Sequence, residues 1–109
     1  MKKIFVLFFL LLLGINSYAV DSKGMKWCST LSGISEMIMK SRQNGVDMEK
    51  LMEINTKLVK DGNPDIAFMI IEAYETPRFN TEKVKIQTIS DFKNKQYLGC
   101  IKAAKSSDR

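Results

Sequence analysis

Histidine is absent from the sequence, and with it go the commonest general base, the usual nucleophile triads and most transition-metal sites. Cysteine occurs twice, at Cys28 and Cys100, too far apart for a Cys-x-x-Cys motif. Proline is equally scarce, and Pro64 and Pro77 bracket a single segment. The sequence lacks a glycine-rich phosphate loop, a nucleophile elbow, calcium-loop spacing and the basic stripe that nucleic-acid binding needs. An enzyme built from what remains would have to run on carboxylates. Glu72 with Glu75, and Glu49 with Glu53, share helix faces, but such exposed acid pairs are ordinarily solvated charge. No catalytic residues, cofactor, metal or nucleic acid are therefore expected.

No apolar run is long enough to span a bilayer. Met1, Lys2 and Lys3 precede a stretch from Ile4 to Ile15 that carries no charge, and Ser17-Tyr18-Ala19 supplies a small-x-small cleavage pattern. A spanning helix needs ~20 apolar residues, and this run has 12. Residues 1–19 are expected to be a cleaved signal peptide and residues 20–109 a single domain, periplasmic or secreted, with no stable membrane insertion after cleavage. Cleavage removes two lysines and no acid, lowering the net charge from +5 to +3. A 90-residue domain buries about 60–65% of its unfolded surface and is stable by a narrow margin. A covalent tie is expected. Two cysteines in an exported chain without histidine point to a Cys28–Cys100 disulfide, which would stabilise by up to ~4 kcal/mol on loop-entropy grounds. Two free thiols or an intermolecular bond form the alternative.

The stretch Asn63 to Pro77 is apolar over most of a helix's circumference. Asn63 suits the N-cap, Pro64 the first helical position and Asp65 the positive end of the helix dipole, while Pro77 closes the segment. Ahead of it, Trp27, Leu31, Ile34 and Ile38 share one face of a helix from Met25 to about Asn44, stopped by Gly45. Asp47 is placed to cap a helix running to about Asp61, with Val46 and Leu51 at staple spacing and Met48, Leu51, Ile54 and Leu58 as its inner stripe. Asn80 is placed to cap a fourth helix whose inner face carries Ile86, Ile89, Tyr97, Cys100 and Ile101, with Phe92 on its flank; the tail from Lys105 is expected to fray. The predicted fold is all-α: a small antiparallel four-helix bundle in which an up-down-up-down order brings Cys28 and Cys100 to the same end.

Three residues resist that pattern. Phe68 lies at the angle of Glu72 and Glu75, where a self-contained bundle would place a polar residue. Either the fourth helix or the tail covers it, or it marks a partner surface with Arg78, Phe79 and Phe92 as neighbours. Asn55 and Lys93 fall on inner faces, as a polar site or, more plainly, as an internal hydrogen bond and a paired or snorkelling ammonium. The seven methionines fit an adaptable core or contact surface.

Tyr74-Glu75-Thr76-Pro77-Arg78-Phe79-Asn80-Thr81-Glu82, Ile89-Ser90-Asp91-Phe92 and Tyr97-Leu98-Gly99-Cys100 together resemble the C-terminal half of a family of short exported proteins of Gram-negative bacteria and their phages. In that family an Arg-x-x-Gly pattern closes the first helix, and Arg42-Gln43-Asn44-Gly45 fits it. The resemblance implies a location and a helical disulfide-linked fold, and brings no catalytic residues with it. The function expected is non-enzymatic binding of a protein partner in the cell envelope, as an inhibitor or modulator, by a monomer or weak homodimer. Two alternatives stand beside it. One is a small periplasmic stress chaperone loosened by acid, and the other is an envelope hydrolase using Glu72 or Glu75.

Overall fold

The computed structural model describes residues 20–107. The leader expected at residues 1–19 lies outside them. The described residues form four helices and no strand: α1 (Ser22–Gln43), α2 (Met48–Leu58), α3 (Pro64–Glu75) and α4 (Glu82–Ser107). Cys28 and Cys100 are disulfide-bonded, with their Cα atoms 5.5 Å apart. This joins the start of α1 to the far end of α4, so the two run antiparallel. At the opposite end, Arg42 Nε donates to Thr76 O at 3.0 Å and Tyr74 OH donates to Val46 O at 2.5 Å. The C-termini of α1 and α3 therefore meet, which gives the bundle its up-down-up-down course.

Local chemistry explains most boundaries. Asp21 caps α1 by accepting from Gly24 N at 2.6 Å. Gly45 ends that helix at φ +82°, where L side chains are strained, with Val46 N–H returning to Ser41 O and Gly45 N–H to Arg42 O. A Cβ at Gly45 would also stand 2.9 Å from the Arg78 guanidinium. Asn63 Oδ1 caps α3 as expected, accepting from Asp65 N at 2.8 Å and Ile66 N at 3.2 Å.

Asp47 occupies the N-cap of α2 but makes no side-chain cap bond. The fourth helix begins at Glu82, so its cap falls on Thr81 rather than Asn80, and it extends through Lys105 to Ser107; the rest of the tail lies outside the described residues.

The core is Leu31, Ile38 and Met39 of α1, Met69, Ile70 and Ala73 of α3, and Phe92 of α4. The α1–α4 contact is the most extensive, α3 packs on α1, and α2 packs chiefly on α3. That hierarchy overturns part of the expected inner stripe of α2: Ile54 and Leu58 are exposed, Leu58 by 74%. The helix also stops at Leu58, short of Asp61. Asn55 pulls the following loop back under it, donating through Nδ2 to Asn63 O and accepting from Asn63 N, both at 3.0 Å. Ile86 of α4, expected inside, is likewise exposed.

Helix lengths then decide what is left uncovered. At ~1.5 Å per residue, α1 and α4 span about 33 and 39 Å, whereas α2 and α3 span only about 17 and 18 Å. Because α3 is held to the C-terminus of α1, it runs out near Leu31. The disulfide-bonded ends of α1 and α4 overhang it.

Candidate functional site

The overhang forms a cleft of about 780 Å³ walled by three helices. From α1 come Gly24, Trp27 and Leu31; from α3, Asp65, Phe68 and Met69; from α4, Gln96, Gly99, Cys100, Ala103 and Ala104. Asp21 and Lys23 complete the edge where α1 begins. Trp27 is 50% exposed and Phe68 66% exposed, so each presents a large apolar surface beside the opening. Small residues keep the α4 wall low. A Cβ built at Gly99 meets nothing within 4 Å. The result is an apolar floor, two aromatic flanks and a rim carrying both signs of charge, which suits the burial of an apolar segment.

The wall is braced between α3 and α4 by a charged cluster. Lys95 Nζ donates to Glu72 Oε1 at 2.8 Å, and Gln96 Nε2 donates to Glu72 Oε2. The hydrogen bond from Lys95, opposed by burial and aided by Gln96, holds the Glu72 carboxyl below its ordinary range. A proton-donating acid would need the opposite shift. Glu75 is exposed.

Of the partner surface expected from sequence, only Phe68 lies here. Among the described residues it is 66% exposed, so the described part of α4 does not cover it; the side chains of residues 106–109 lie outside those described. Phe92 requires a correction: it is 6% exposed and belongs to the core, where it offers no side chain to a partner. Arg78 and Phe79 lie at the other end of the bundle, engaged by the C-terminus of α1. Arg78 Nε donates to Gln43 O at 3.0 Å, and Phe79 N donates to Gln43 Oε1 at 2.9 Å. The four residues thus do not form one patch.

Asn55 and Lys93 do not converge on a polar site either. Asn55 is buried and spends its amide on Asn63, while Lys93 pairs with Glu36 at 2.9 Å. Among the described residues, no group of three or more His, Cys, Asp or Glu is placed to hold a metal ion.

Two important residues were missed by sequence reasoning. Trp27 follows the periodicity of the face it shares with Leu31, Ile34 and Ile38; what periodicity leaves out is that α3 ends before reaching it. Gln43 is fully buried, with Nε2 donating to Pro77 O at 2.9 Å, and no helical pattern marks a glutamine as a hub between a helix end and a distant loop. Comparison of the chain with protein-family models, curated proteins and solved structures finds no match.

Proposed function

We propose that this chain is an exported, non-enzymatic protein of the bacterial cell envelope, acting in the periplasm or outside the cell by binding a partner protein as its inhibitor or modulator. The observation that carries this reading is the open aromatic cleft between Trp27 and Phe68. A monomeric domain with a small core gains by covering such residues, and here the helix lengths leave both flanking a floor ready to accept apolar side chains. The disulfide supports the extracytoplasmic address, since such bonds persist in oxidising compartments. Among the described residues no helix is long and apolar enough to cross a membrane.

Gly99→Leu tests the reading without removing any contact, because the new side chain enters open space and fills the cleft. Crosslinking of the protein in its native envelope identifies the partner, and the purified pair is then titrated. Gly99→Leu and Phe68→Asp should each weaken binding at least about tenfold, equivalent to ~1.4 kcal/mol, with helicity and melting cooperativity retained. Leu58→Asp, an equally exposed apolar position on α2, should bind as the parent does. Undiminished binding by both cleft variants would refute the assignment.

A further inference from the structure

The disulfide is part of the cleft itself. Cys28 is fully buried one residue from Trp27, and Cys100, half-buried, lines the cleft wall next to Gly99. The bond sits at the edge of the core: Cys28 is buried with it, Cys100 packs against it, and its innermost members run from Leu31 in α1 to Phe92 in α4. Outward of the bond, Met25 and Trp27 are both half exposed and Ala103 is exposed, while Gly24 of α1 lies close to Ala104 of α4. The bond therefore ties the outer wall of the cleft to the edge of the core.

We infer that the cleft is redox-gated: the Cys28–Cys100 bond assembles the binding surface, and its reduction by a protein dithiol disassembles that surface while the α1–α3–α4 core stays folded. The inference rests on the cleft being the binding surface. Cys100 is the sulfur open to attack, because Cys28 is fully buried. One thiolate of the reductant bonds to Cys100 Sγ as the Cys28–Cys100 bond breaks, and Cys28 leaves as a thiolate that takes up a proton. The reductant's second thiolate then attacks the reductant sulfur bonded to Cys100, forming the reductant's own disulfide and releasing Cys100 as a thiolate, which is protonated in turn. Two electrons and two protons pass to the protein, and the dithiol becomes a disulfide. Oxidation by an exported disulfide donor reverses the sequence. The end of α1 then carries Trp27 and the end of α4 carries Gly99 with Ala103, with no covalent tie between these two ends.

Residue-resolved amide hydrogen exchange on the oxidised and the dithiothreitol-reduced protein tests this without any partner. Reduction lowers global stability, so all protection falls to some extent. The comparison is between the two regions. Protection across residues 24–28 and 98–104 should fall at least about tenfold further than that of Ile38, Ile70 and Phe92, and acrylamide quenching of Trp27, the only tryptophan in the chain, should rise with it. Reoxidation should restore both. An equal fall in both regions, including complete unfolding, would make the bond a staple of the whole fold and overturn the gate; so would no fall at all. If exchange behaves as expected while Gly99→Leu leaves partner binding intact, the binding reading fails and the redox response stands as a property of the fold.

Discussion

Gln43 carries more of the architecture than any other single polar side chain described here. Its amide joins the end of α1 to Pro77 and Phe79, and its carbonyl accepts from Arg78 and from Lys85 Nζ at 3.1 Å, so two cations sit at the negative end of the α1 dipole. Replacing it with leucine leaves the Phe79 N–H and the Pro77 carbonyl without their partner in a part-buried setting. Gln43→Leu should therefore cost about 1–3 kcal/mol, read from urea midpoints. The Arg42-Gln43-Asn44-Gly45 pattern was visible in the sequence, and so was the helix stop at Gly45. Gln43 itself was not, because its partners lie about 35 positions away and their approach follows from tertiary packing.

Glu72 supplies the acid response. Its folded carboxyl titrates below the ordinary 4.5, so its contribution to stability is present above that value and is lost as pH falls through the lowered one. Urea midpoints of the parent and Glu72→Gln, followed from about pH 7 down to pH 2, should differ most at neutral pH and converge in acid. A constant gap would contradict the Lys95 and Gln96 brace.

At the scale of the element, α3 is the best determined and α2 the least. Asn63, Pro64 and Asp65 act within one turn, which is why that helix start could be read directly from the chain. Asn63 also receives the grip of Asn55 on its backbone, so its cap and its loop position are fixed together. Asn63→Ala should cost ~1 kcal/mol in thermal or urea unfolding. The α2 stripe was legible as an apolar face, but a hydrophobic period says only which side is greasy. It cannot say that its neighbour is 12 residues long and packed elsewhere on α1. Leu58 and Ile54 consequently stay in water, and amides of α2 should exchange faster than those around Ile38 and Phe92.

At the scale of the whole molecule, the paired long helices and the disulfide were foreseeable from cysteine placement and helix lengths, and the four-helix order follows from them. The cleft was not, although its ingredients were in view: two long helices, two short ones, and a phenylalanine facing outwards. It appears only once α3 is anchored at its C-terminal end by Arg42 and Tyr74, which fixes where the short helix stops. Phe92 shows the converse error, since a residue on the flank of α4 became core when α4 lay fully along α1.

Site-specific photocrosslinking asks whether the proposed partner is met at the disulfide end of the bundle. A photoreactive residue is placed at Phe68, Trp27, Leu58 or Ile86, all exposed apolar positions, and the protein is illuminated in its native envelope. Binding at the cleft should give one discrete adduct, the same from positions 68 and 27 and absent from 58 and 86. Adducts arising equally from all four positions, or only from 58 or 86, would contradict it.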